Sequence, residues 1–200
     1  MSTEFVIPNN NESEFIQIAS KLGIKKICFL YDFDRYGKDA LKRLDVEDND
    51  NKNIEFEIGF IVNQKNMNKA LDYSNFLVAR SSVNDAFFIE SKKIRMIYGF
   101  EEAYKKEYKN QSASGLNHII CRIANKNDVS IGIAYGSLFN KTMPTSLLIG
   151  RMMQNIKLCR KYKSDSIILG KILKGLHQHE THVHLSEKEK SDLKKKLSEG

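Results

Sequence analysis

The 200-residue chain has no tryptophan, only two prolines and only three cysteines. Cys28, Cys121 and Cys159 stand singly on apolar-patterned segments, too few and too dispersed for a disulfide framework or a zinc ribbon, so reduced thiols lining a core are expected. No apolar run reaches the roughly 18 residues that span a bilayer. The opening MSTEFVIPNNN carries neither a basic leader nor a hydrophobic signal core, so export and membrane insertion are not expected and a cytoplasmic location is. No Gly-rich phosphate loop accompanies Asp32 and Asp34, the alternate carboxylates that follow a buried strand, and without one they are not assigned magnesium or phosphoryl chemistry. Asp48-Asn49-Asp50 begins like a calcium loop but lacks its later parts: Lys52 falls at the fifth position, Asn53 replaces the turn glycine, and Gly59 stands where a bidentate Glu belongs.

Charge of one sign is missing where it would matter most. Residues 101–200 hold 18 Lys and Arg against 10 Asp and Glu, a net +8, whereas residues 1–100 hold 14 against 15, a net −1. The whole formal excess of +7 therefore belongs to the second half. Such a one-sided field suits a polyanion, because phosphate neutralisation with counterion release supplies most sequence-independent affinity for nucleic acid.

Strand and helix signals alternate along the chain. Glu4–Ile7 reads as a strand stopped by Pro8, and Phe15, Ile18, Ala19 and Leu22 recur at helical spacing before Gly23. Residues 24–33 form a second strand, 35–44 a helix and 45–53 a polar loop. In the third strand, 54–62, Gly59 allows close backbone approach. A polar, helical connection over 63–72 precedes strand four at 75–79, an amphipathic segment at 82–90, strand five at 93–98 and a charged segment to 110. Ser112 or Ser114 is the expected helix cap, after which Leu116, Ile119, Ile120 and Ile123 make an apolar stripe opposite His118, Arg122 and Asn125. Val129–Tyr135, with Gly132 relieving crowding, is strand six. Pro144 starts a long helix with Leu148, Ile149, Met152, Met153, Ile156 and Cys159 inward. Lys157 and Lys161 fall opposite, flanked by Arg151 and Arg160, and this helix carries no acid to neutralise them. Ser166–Gly170 is strand seven.

Seven strands separated by helices predict an α/β, TIM-barrel-like fold with about seven parallel strands. At 200 residues the chain falls short of the roughly 250 typical of an eight-unit barrel, so the barrel is expected to be short or incomplete. One barrel-like domain over residues 1–185, followed by a basic helical tail over 186–200, is the expected organisation.

The segments SGLNHIICRIANKNDVSIGIAYGSLF and RMMQNIKLCRKYKSDSIIL resemble the ribonuclease P protein component 3 family of archaea and eukaryotes, most closely over residues 112–170. The Gly115-Leu116-Asn117-His118 element and the run Lys157 to Tyr162 carry the likeness together. It continues weakly upstream, through FVIPNNN and ICFLYDF. Two departures stand out: Asn117 replaces the usual Asp, and Asn110-Gln111 replace the Arg or Lys common before the Ser-Gly. The resemblance implies a barrel related to the polymerase and histidinol phosphatase (PHP) superfamily. It also implies a protein subunit of ribonuclease P, the ribonucleoprotein that removes the 5′ leader of precursor tRNA. In that family the RNA subunit performs the hydrolysis with Mg2+, while the protein binds no cofactor and stabilises the RNA together with protein component 2 and other subunits. On this likeness His118 matches the motif histidine, and Lys126, Arg160 and Lys161 match basic positions of the two family helices; Arg122, Arg151 and Lys157 join them as expected RNA contacts from their places on the two helix faces. A competing reading is a metal-dependent phosphohydrolase of the PHP superfamily that uses His177, His179, His182 and His184, whose spacing in HQHETHVH could hold a transition metal.

Overall fold

A computed structural model describes residues 3–37, 39–40, 54–103, 114–139 and 143–170. Seven strands, β1 (Glu4–Val6), β2 (Lys26–Asp32), β3 (Glu55–Val62), β4 (Leu77–Arg80), β5 (Met96–Tyr98), β6 (Ser130–Ala134) and β7 (Ser166–Leu169), pair in sequence order, all parallel. β7 returns to β1 through Phe5 and Leu169, and the Gly170 amide donates to the Phe5 carbonyl at 2.8 Å. The barrel, expected to be short or incomplete, is a short one, closed with seven strands.

Side chains alternate across a strand, and this divides the apolar residues into two cores. Phe5, Cys28, Leu30, Val78, Met96, Tyr98 and Leu169 fill the lumen. The opposite parity, including Ile27, Phe29, Tyr31, Ala79, Ile97, Ile131 and Ile133, packs outward into the helix layer. Gly59 and Gly132 face inward where no side chain fits. A Cβ on Gly132 would lie 2.5 Å from Leu169 Cδ1 and 2.7 Å from Tyr98 Cβ, and one on Gly59 would lie 2.7 Å from Leu30 Cδ2.

The helices bounded within the described residues are α1 (Glu12–Leu22), α2 (Phe33–Tyr36), α3 (Met67–Ala70), α4 (Asp85–Glu90), α5 (His118–Lys126) and α6 (Thr145–Tyr162). 3-10 turns follow β5 at Phe100–Glu102 and β6 at Tyr135–Phe139. α1 ends as its sequence indicates: Gly23 takes the left-handed conformation at φ 68° and returns its amide to the last turn. α2 ends at Gly37, whose φ of 41° and ψ of −124° leave the helical region, and residues 39–40 are helical again; the rest of the helix expected over 35–44 lies outside the described residues.

Both central helices are rotated from the faces that apolarity suggested. α5 buries Ile120, Cys121 and Ala124, and Ile119 is exposed. α6 buries Leu148, Arg151, Met152, Asn155 and Cys159, while Ile149 and Met153 face out. All three cysteines are free and buried, as expected. The Cys121 and Cys159 thiols hydrogen-bond to each other at the seam of α5 and α6, and that contact together with burial holds the Cys159 thiol well above its ordinary value. Among the described residues, no helix is long and apolar enough to cross a membrane. The calcium-like loop at 48–53, Ser112, the histidines 177, 179, 182 and 184, and the domain boundary at 185 lie outside the described residues.

Candidate nucleic-acid interface and barrel mouth

The Gly115 to His118 element has a physical explanation. The Gly115 amide donates to the Phe100 carbonyl at 2.9 Å, and a Cβ there would lie 2.7 Å from that of Ala103, so the chain can pass this close only as glycine. Leu116 is buried. Asn117 is the helix cap that was expected of a serine: its Oδ1 accepts from the amides of Ile119 at 2.9 Å and Ile120 at 3.0 Å. Asn is among the residues that cap a helix start best. Ser114 is buried instead. His118 is thereby the first residue of α5 and is exposed.

His118, Arg122, Lys126, Lys157, Arg160 and Lys161 are all exposed on α5 and α6. Three of them converge on Tyr162, the last residue of α6. The Arg122 guanidinium carbon lies 5.2 Å from the ring centroid, Lys161 Nζ lies 5.6 Å away, and the His118 ring centroid is 6.0 Å away. Among the described residues no carboxylate pairs with any of the six; the ion pairs present involve Lys26 with Glu55 and Glu57, and Arg80 with Glu102. A π face orients a cation without cancelling its charge, so this cluster stays available to phosphate. In the sequence Tyr162 is only the end of a basic run; its part emerges from the crossing of the two helices.

Arg151 departs from expectation. It was expected on the flank of the outer face, but it is fully buried, and its Nη1 donates to the Glu101 carbonyl at 2.9 Å. The residues at 148, 152, 155 and 159 follow the inward stripe of α6, and 151 lies within it. Arg151 thus ties α6 to the turn after β5 and is not part of the exposed face. Glu101 is also fully buried. Its Oε1 accepts from the Ala134 amide at 2.7 Å, Oε2 has no partner among the described residues, and burial raises its carboxyl above the usual range.

A second feature lies at the C-terminal mouth of the barrel, where enzymes of this architecture place their chemistry. A cavity of about 670 Å³ opens there, with Asp32, Asn63, Arg80 and Tyr98 in its wall and Leu30 and Ile61 adding apolar lining. Asp32, Arg80 and Tyr98 occupy the last inward positions of β2, β4 and β5, a signal that strand alternation alone carries. Asp32 Oδ1 accepts from the amides of Asp34 at 3.0 Å and Arg35 at 3.1 Å, capping α2. Asp34 accepts from Asn63 Nδ2 at 2.7 Å and Asn66 Nδ2 at 2.9 Å. One guanidinium nitrogen of Arg80 pairs with Glu102. Burial pushes the Tyr98 phenol up to about 12; Arg80 opposes this, while Glu102 and Asp32 add to it.

The molecule is therefore a closed, all-parallel, TIM-barrel-like α/β protein with a basic face on two adjacent helices that no acid among the described residues neutralises, and a polar cavity at its mouth. Among the described residues no group of three or more His, Cys, Asp and Glu is placed to hold a metal ion. No family model matches the chain, and no curated protein matches it significantly.

Proposed function

We propose that this protein is a non-catalytic RNA-binding subunit of ribonuclease P, contacting the RNA through the outer face of α5 and α6. The observation that carries the reading is the convergence of His118, Arg122 and Lys161 on Tyr162 without an acidic partner among the described residues. Cations held by an aromatic ring suit a structured RNA, in which phosphates are spaced by helix geometry and unpaired bases offer stacking surfaces. The resemblance of residues 112–170 to ribonuclease P protein component 3 narrows the polyanion to ribonuclease P RNA, with precursor tRNA as the substrate of the assembled particle. On this reading Mg2+ serves the RNA, and protein component 2 is the partner that completes the protein scaffold.

Reconstitution with the RNA subunit, protein component 2 and precursor tRNA tests this. Wild-type protein is expected to restore leader removal and to bind the RNA with a steep salt slope. His118→Ala and Lys161→Ala should weaken both without unfolding the barrel. RNA binding that is absent or insensitive to salt, in the pure protein and in the reconstituted particle alike, would overturn the proposal. So would leader cleavage by the protein alone.

A further inference from the structure

The basic face leaves the barrel mouth without a role, yet the mouth is the most elaborately built polar feature of the described structure. Its cavity of about 670 Å³ falls within the roughly 300–1,000 Å³ usual for small-molecule sites. Its lining holds two carboxylates, Asp32 and Asp34, and two guanidiniums, Arg35 and Arg80, so its formal charges balance. Both oxygens of Asp34 are taken by Asn63 and Asn66. Those two asparagines are fixed in turn, because Asn66 Oδ1 accepts from the Asn63 amide at 2.8 Å and Asn63 Oδ1 from the Asn66 amide at 3.1 Å. Arg80 is paired with Glu102, and Arg35 lies over the Tyr36 ring at 5.1 Å. A wall that is rigid and close to neutral has little electrostatic reason to select a strongly charged ligand.

Three hydrogen-bonding positions remain unspent among the described residues. Asp32 uses only Oδ1 in its cap, which leaves Oδ2 as an acceptor. Arg80 uses one nitrogen for Glu102, which leaves N–H donors. Tyr98 is 8% exposed and lines the cavity, and its hydroxyl, able both to donate and to accept, has no partner there. One acceptor, one donor and one group of both kinds complement adjacent hydroxyls, each of which also donates and accepts. Leu30 and Ile61 meanwhile provide an apolar surface for a carbon skeleton or a base.

We propose that the barrel mouth is a binding site for a neutral ligand bearing vicinal hydroxyls, a sugar or a ribonucleoside, held by Asp32, Arg80 and Tyr98. The site is separate from the α5 and α6 face, and its occupancy does not depend on RNA binding.

Calorimetric titration of the full chain with adenosine, uridine, ribose and glucose tests this, with 2′-deoxyadenosine, 2′-deoxyuridine, 2-deoxyribose and 2-deoxyglucose as matched probes and inorganic phosphate as competitor. At least one hydroxylated probe should bind saturably below about 10 mM. Its deoxy partner, which lacks one of the two hydroxyls, should bind about 10-fold more weakly. Binding of the nucleosides without ribose assigns the base to the apolar wall, and binding of ribose or glucose assigns a free sugar. Tyr98→Phe removes only the hydroxyl and should weaken binding about 3- to 10-fold, whereas Asp32→Asn keeps the α2 cap but loses the carboxylate acceptor and should weaken it about 10-fold or more. Thermal melts identify any variant that fails to fold, and the deoxy comparison on wild-type protein decides independently of both. No saturable binding by any probe, equal binding of hydroxylated and deoxy probes, indifference to Tyr98→Phe in a folded variant, or full displacement by phosphate would each overturn the proposal.

Discussion

Replacing Tyr162 with leucine separates the charge of the basic face from its organisation. The substitution removes no charge and retains an apolar side chain where Tyr162 packs partly buried against the core. What it takes away is the ring that lies 5.2 Å from Arg122 and 5.6 Å from Lys161. At exposed sites each cation–π contact contributes about 0.5–1 kcal/mol. Two contacts give about 1–2 kcal/mol that must be supplied on binding once the cations are no longer held, which corresponds to about 5- to 30-fold in affinity. The number of phosphates neutralised does not change, so the slope of log affinity against log salt should stay at its wild-type value. Arg122→Gln should behave differently and reduce the slope by about 0.7–0.9, the counterion stoichiometry of one contact. Filter binding or fluorescence anisotropy with ribonuclease P RNA at several salt concentrations reads both quantities, and Tyr162→Phe, which keeps the ring, serves as the control. The reasoning is refuted if the leucine and phenylalanine variants bind equally, or if the leucine variant loses slope as though a charge had gone.

Two further predictions concern the scaffold. Gly132→Ala should cost about 1–3 kcal/mol in urea unfolding, as overpacked cores do, because its Cβ would meet Leu169, Tyr98 and Met96 within 2.8 Å; an unchanged midpoint would show that the lumen is not packed as described. Glu101→Gln should gain stability relative to wild type as pH rises. The folded carboxyl titrates above its ordinary value of 4.5, so the native state holds the proton longer than the unfolded state and wild-type stability falls as pH increases through that window. Gln cannot ionise, and an advantage that stayed constant from about pH 4.5 to about pH 8 in thermal melts would contradict the burial of this carboxyl.

The alternation of strands and helices was legible because each strand is short, apolar and bounded by turn residues, and all seven strands lie where the pattern put them. The helix faces were less legible. Apolar spacing in α6 places Ile149 and Met153 inside, but Arg151 and Asn155 take the inner face and leave the two apolar residues outside. A hydrophobic pattern cannot foresee that a guanidinium will find a carbonyl such as that of Glu101, because the partner lies 50 residues away. The mouth was partly legible. Asp32 and Asp34 stood out as alternate carboxylates, whereas Arg80, Tyr98 and Asn63 lie on other strands or the turns that follow them, and no local spacing relates them.

By itself, the sequence determined the strand count, the parallel α/β class, the inward glycines and the basic excess of the second half, all of which depend on local period and composition. Only the tertiary structure decided that seven strands close into a barrel, that Asn117 and not a serine caps α5, and that Arg151 belongs to the interior. It also decided which cations share one ring. Closure and convergence depend on the angles at which strands and helices cross, and those angles are set by packing among residues far apart in the chain.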